Sequence, residues 1–151
     1  MPYVLSMPEK PAYTNHGLTG YSLFRNERLD VDYISVVTGH DTFLKCKRST
    51  RLYYVLSGEG YFTIDGTRYG VHPGELVTVP PKVEYSYSGQ MTLLMVATPR
   101  WVRGDVIATR WNPDVASGGT LPDQPRPWLS RARGAFLRLA RGAGKRLALW
   151  S

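Results

Sequence analysis

Lys45-Cys46-Lys47, Arg51 and Tyr53, with Tyr85 and Tyr87 further along, have types and spacings that suit chemistry. Strand side chains alternate with a period of two, so Lys45 and Lys47 fall on one side of a strand and Arg51 and Tyr53 pair in the same way. Two close, partly buried ammonium groups each favour the neutral amine in the other. A neutral lysine is a base, or a nucleophile that forms a Schiff base with a carbonyl. A guanidinium clamps a carboxylate or phosphate with two parallel hydrogen bonds. A phenol can give a proton to a developing enolate or alkoxide. The competing reading is that the lysines and Arg51 snorkel outward, or form a solvated edge that discourages aggregation. Glu59 and Glu75 lie beside glycines in turns and read as structural.

The elements that must position these residues read as β. Segments 21–25, 30–38, 43–47, 52–56, 61–64, 67–71, 76–79, 83–87, 91–98 and 105–110 are rich in Val, Ile, Tyr, Thr and Phe and are separated by turn residues. Asp65-Gly66 between Ile64 and Thr67 predicts a two-residue hairpin, because both residues tolerate positive φ. Pro73-Gly74 and Pro80-Pro81 mark the next turns. Many short strands with no helix between them predict an antiparallel barrel or jelly roll.

The chain has 151 residues, enough for one domain with a real core. Its net charge of +7 is concentrated in residues 128–151, where Arg131, Arg133, Arg138, Arg141, Lys145 and Arg146 occur without an acid. Residues 1–127 are therefore nearly neutral, and a nucleic-acid role is not expected of them. Residues 112–127, with four prolines and two glycines, read as an arm. Residues 128–151 read as a basic amphipathic helix, with Leu129, Phe136, Leu139, Leu147 and Trp150 on one face. That tail is expected to pack on the barrel or a dimer mate; peripheral contact with an anionic membrane is the alternative. Cys46 is the single cysteine, which excludes an internal disulfide and a cysteine-based zinc site. No apolar run spans a bilayer and the first residues lack a secretory pattern, so a cytoplasmic location is expected.

Two blocks carry a family resemblance. Residues 51–66, Arg-Leu-Tyr-Tyr-Val-Leu-Ser-Gly-Glu-Gly-Tyr-Phe-Thr-Ile-Asp-Gly, resemble the first conserved block of the cupin superfamily. Residues 73–85, Pro-Gly-Glu-Leu-Val-Thr-Val-Pro-Pro-Lys-Val-Glu-Tyr, look like the second. The resemblance implies an all-β cupin double-stranded β-helix, or jelly-roll barrel, over residues 1–111, with a C-terminal helical tail. It also implies a homodimer. Cupins typically hold a divalent metal through His-x-His, a Glu and a third His. The corresponding positions here are Lys45-Cys46-Lys47, Arg51 and Tyr85. Cationic side chains have no lone pair for a metal, and His16, His40 and His72 do not restore the spacing, so neither a metal nor another cofactor is expected.

The register implied by the resemblance sends Lys45 and Lys47 into the barrel, with Cys46 facing out. Lys45, Lys47 and Tyr85 are then the candidate catalytic residues, and Arg51, Tyr53 and Tyr87 the candidate ligand-binding residues. The expected ligand is a small anionic or carbohydrate-like molecule. The expected chemistry, where there is catalysis, is of the metal-independent isomerase, epimerase, cyclase or lyase type. Two alternatives stand beside it: a metal-dependent dioxygenase or isomerase with atypical ligands, and a non-enzymatic interaction protein that docks through its tail.

Overall fold

Alternation of apolar and polar residues decides which face of each strand is buried, and two long strands carry that alternation through both halves of the molecule. The computed structural model describes residues 3–15 and 17–116. The elements in chain order are β1 (Tyr13–Thr14), β2 (Leu18–Arg25), β3 (Asp30–Val36), β4 (Thr42–Cys46), β5 (Thr50–Ile64), β6 (Thr67–Val71), β7 (Leu76–Val79), β8 (Tyr85–Thr98), β9 (Val106–Trp111) and the short helix α1 (Pro113–Ala116). All named pairings are antiparallel. The expected helical tail at 128–151 lies outside the described residues, as does most of the arm.

β5 and β8 pair along nearly their whole lengths, from Thr50 opposite Thr98 to Ile64 opposite Tyr85. The first half of β5 and the second half of β8 belong to a sheet ordered β1-β2-β3-β8-β5-β7. Their other halves belong to a sheet ordered β6-β5-β8-β4-β9. The two sheets thus share two strands, and their inner faces enclose Leu18, Ile34, Leu44, Val55, Phe62, Leu93 and Met95, each at most 1% exposed. This is the jelly-roll sandwich expected from the sequence.

The sequence divides β5 at its glycines and β8 near Gly89; the structure keeps both strands continuous and bends them there. Gly58 has φ +75° and Gly89 has φ +126°. Gly60 faces Gly89 across the pair, so the chains approach where the sheet turns its corner. A Cβ on Gly89 would lie 2.5 Å from Gly60 Cα, and one on Gly58 would lie 2.1 Å from Gln90 O. Both obstacles are backbone and cannot swing away. Glycine here marks a bend within a paired strand rather than its end. The Asp65-Gly66 hairpin forms as expected, with φ +50° and +79°.

Gly89→Ala is expected to destabilise the fold by at least about 3 kcal/mol, since it adds both a clash and an unfavourable φ. Gly66 meets nothing within 4 Å, and Gly66→Asn should cost less than about 1 kcal/mol because asparagine tolerates this region. Thermal denaturation checks both, with a drop of roughly 10 °C or more expected only for the first.

Candidate functional site

The row Asp32–Met95–Tyr53–Val77 crosses β3, β8, β5 and β7 with every side chain buried. The adjacent row is Asp30–Ala97–Arg51–Val79. Strand alternation therefore brings Asp32, Arg51 and Tyr53 to the same inner face. From the other sheet, Phe62 and Tyr87 stand opposite each other, as do Ile64 and Tyr85. Arg51, Tyr53, Tyr85 and Tyr87 are each at most 1% exposed.

The phenol rings pack at a tilt, and two of the phenols are hydrogen-bonded to each other. Tyr53 Oη and Tyr85 Oη lie 2.7 Å apart. The Tyr53 ring centroid is 5.2 Å from that of Phe62, 5.9 Å from that of Tyr85 and 5.5 Å from that of Tyr87. Burial pushes all three phenols well above their ordinary range, so they remain neutral donors at physiological pH.

His40, fully buried between β3 and β4, joins the same cluster. Its ring meets Tyr87 edge-on, with centroids 5.9 Å apart. Its Nδ1 lies 3.0 Å from the Thr42 carbonyl oxygen. Thr42 N–H also faces Nδ1, at 3.3 Å. A carbonyl only accepts, so the shorter contact is made by the tautomer with the proton on Nδ1 and the lone pair on Nε2, and the longer contact by the other tautomer. The backbone is fixed as firmly: His40 N–H donates to Tyr87 O at 2.9 Å, and Ser86 Oγ and Asn112 Nδ2 donate to His40 O at 3.1 and 3.0 Å. Burial lowers the imidazole pKa to about 4; the Thr42 carbonyl opposes this and the Arg51 charge adds to it. The ring is neutral at pH 7.

Asp32 completes the polar interior. Tyr13 Oη donates to its Oδ2 at 3.0 Å. Burial raises the Asp32 pKa to about 6, partly offset by that hydrogen bond. Asp30, one row away, is engaged differently: Arg25 Nε binds Oδ1 at 2.6 Å and Trp101 N–H binds Oδ2 at 2.9 Å.

The lysines require a correction. Lys45 and Lys47 are exposed on the outer face, while Leu44 and Cys46 are buried. Lys45 stands opposite Ile107, itself 42% exposed, whereas Cys46 stands opposite the buried Val106. A period of two allows only one of the two sets inside. Burying two ammonium groups without carboxylates costs several kcal/mol per ion, and burying Leu44 and Cys46 stabilises instead. Exposure also removes the burial that a neutral-lysine base would require. Arg51, Tyr53, Tyr85 and Tyr87 do point inward. His40 and Asp32 were missed by the sequence reading. Asp32 had left a signal, since Asp30, Asp32, Ile34 and Val36 share one phase of β3.

The Cupin domain family matches the chain over residues 47–97. The matched segment is a cupin domain, and the fold around it is the cupin fold. Among solved structures, this cupin resembles the nucleoside dehydratase Pac13 of Streptomyces at 25% identity and a TM-score of 0.70, covering 76% of this chain and 96% of that one. Variants of Pac13 with one histidine changed to glutamine, or either of two tyrosines to phenylalanine, are known with uridine. An RmlC-like cupin from Shewanella frigidimarina matches at 24% identity and TM-score 0.55, over 66% of this chain and 92% of that one. KdgF from Halomonas matches at 13% identity and TM-score 0.53, over 58% and 83%. No curated protein matches in sequence. The metal that cupins typically hold does not fit the side chains present: the ligand positions carry two outward lysines, a buried guanidinium and a hydrogen-bonded phenol. Among the described residues, no three His, Cys, Asp or Glu side chains are grouped to hold a metal ion.

The two displaced acids titrate in opposition. Between pH about 4 and about 6, folded Asp32 keeps a proton that the unfolded chain has lost, so its contribution falls as pH rises. Between about 6.5 and about 4, unfolded His40 takes a proton that the folded state refuses, so its contribution falls as pH drops. Each spans roughly two pH units, or about 3 kcal/mol. Asp32→Asn should therefore lose stability on acidification through this window more steeply than the parent protein, and His40→Gln should gain relative to it. Urea denaturation across that range checks the two slopes.

Proposed function

We propose that this cupin binds a nucleoside in its interior and removes water from it by acid–base catalysis. One observation carries the reading. In Pac13 the first substituted tyrosine follows the substituted histidine by 13 residues, and the second tyrosine follows after 34 more. His40, Tyr53 and Tyr87 have the same two spacings and meet in one buried cluster.

His40 is the base. Its Nε2 takes the proton from a sugar C–H bond, the electron pair forms a C=C bond, and the neighbouring C–O bond breaks. The departing hydroxyl takes a proton from a phenol and leaves as water. The imidazolium then returns its proton to the phenolate. A base held near pH 4 has little driving force toward an ordinary C–H bond, so the substrate must carry an electron-withdrawing carbonyl beside that bond. The Tyr53–Tyr85 pair supplies a donor for the enolate oxygen that results. This retains proton donation for Tyr85 and moves the base from the lysines to His40. A purely ligand-binding protein is the second reading, favoured by the completeness of the aromatic packing; it predicts binding without turnover.

Calorimetry with uridine, and mass spectrometry with pyrimidine nucleosides carrying a carbonyl at C2′, C3′ or C5′, test the proposal. Uridine should bind, and one of the carbonyl compounds should lose the mass of one water. His40→Gln should reduce that turnover by at least about 100-fold while uridine affinity changes by less than about threefold. Uridine binding without turnover of any carbonyl compound supports the binding-only reading. No interaction with any pyrimidine nucleoside sinks both.

A further inference from the structure

Arg51 and Asp32 are opposite charges in one interior that do not touch. The described arginine–carboxylate pairs join Arg25 to Asp30, Arg48 to Asp105, Arg68 to Asp114 and Arg110 to Glu84. Arg51 is in none of them. Its Nε and the Oδ1 of Asp32 are buried atoms without a hydrogen-bond partner among the described residues. Leaving a buried donor and a buried acceptor unmet is costly, and in charged groups more so. Two such atoms, one of each kind, facing one interior are the mark of a ligand edge that offers an acceptor beside a donor.

The strand rows place that edge. Arg51 Nη1 lies 3.7 Å from Met95 Sδ, so the guanidinium reaches back from its own row to the next. Met95 pairs with Asp32 on one side and with Tyr53 on the other. The guanidinium thus hangs over the strand between the carboxylate and the reactive phenol. At about 4.8 Å per strand, Asp32 stands roughly 10 Å from Tyr53. A sugar hydroxyl lies only a bond or two from the reacting carbon. The imide edge of a pyrimidine lies across the ring from the glycosidic bond, several ångströms further. The thioether between the two charges offers a soft apolar floor for a flat ring.

Resting on the nucleoside reading above, we infer that Asp32 and Arg51 read the imide edge of a uracil-type base, Asp32 Oδ1 accepting from the ring N–H and Arg51 Nε donating to the adjoining carbonyl. Cytosine presents a lone pair where uracil presents N–H, and would set that lone pair against the carboxylate. A site built for a ligand N–H rejects the analogue that lacks it by a large factor.

Calorimetry of the full chain with uridine, 3-methyluridine and cytidine is the test. Uridine should bind at least about 30-fold more tightly than either of the others. In Asp32→Asn the ratio of uridine to cytidine affinity should fall to within about threefold. A second measurement needs no variant: in the complex with 15N-labelled uridine, the ring N–H proton should move downfield and exchange slowly with solvent. Equal binding of all three nucleosides, or a ring N–H that exchanges as in free uridine, overturns the inference and leaves the nucleoside reading standing. A folded Asp32→Asn that keeps full preference for uridine overturns the assignment to Asp32. Failure of every pyrimidine nucleoside to bind overturns both readings together.

Discussion

A guanidinium inside a β-sandwich constrains everything packed around it. Arg51 cannot shed its proton, and no described carboxylate neutralises it by direct contact. Its one described contact is with the Met95 thioether, and the phenols of Tyr85, Tyr53 and Tyr13, the Cys46 thiol and the Asp32 carboxylate act on it from further off. Each neighbour is shaped by that arrangement. The charge disfavours protonation of His40, adding to burial, and works against the proton on Asp32. The phenols stay neutral because burial outweighs the attraction that the cation would exert on a phenolate. Of the changed ligand positions, the one that carries a carboxylate in a metal-holding cupin carries this guanidinium, whose buried charge repels a cation.

The scaffold makes this arrangement possible by sharing strands between sheets. β5 supplies Arg51 and Tyr53 to one wall and Phe62 to the other, and β8 supplies Met95 to one wall and Tyr85 and Tyr87 to the other. Both strands must bend at the same corner, and only glycine permits the approach of Gly60 and Gly89 there. Because one hydrogen-bonded pair spans both walls, the separation of Tyr53 from Tyr87 is set by the corner rather than by a flexible loop. His40 is tied to the same pair through Tyr87 O, and Asn112 closes over it from the chain that follows β9. Asn112 and Val115, read from the sequence as part of an arm, thus lie against His40, Tyr87 and Gly39.

Much of the fold was legible in the sequence. β6 and β7 fall where residue type and turn pairs put them, and Asp65-Gly66 is a hairpin because those two residues accept positive φ without strain. Arg51 and Tyr53 face inward because they keep the phase of Val55, and Tyr87 keeps that of Met91; Phe62 comes to the inner face only after the bulge between Val55 and Ser57. Other features depended on contacts distant in sequence. A glycine that ends a strand and one that bends it look alike until the partner strand is known. In β4 the family position sends Lys45 and Lys47 inward, but Leu44 and Cys46 compete with them for the inside, and the cost of desolvating ammonium groups favours the apolar pair. β4 also meets β9 across a bulge between Phe43 and Leu44, where the extra residue, Thr109, lies on β9.

His40 was hidden for another reason. Thr38-Gly39-His40-Asp41 has the composition of an exposed turn, and nothing local announces burial. The turn is inside because Gly39 lets the chain press against β8: a Cβ there would lie 2.4 Å from Tyr87 O. That contact fixes the histidine against the phenol with which its chemistry must be shared. On the proposed dehydratase reading, this histidine is a base whose orientation is set by backbone hydrogen bonds and whose protonation is suppressed by burial and a nearby cation. Such a group is a poor general proton acceptor in water. It becomes effective only when a bound substrate develops negative charge nearby, since an oxyanion stabilises the imidazolium as the proton arrives. On that reading, selectivity for activated substrates follows from the resting site, through the same buried charge that repels a metal ion.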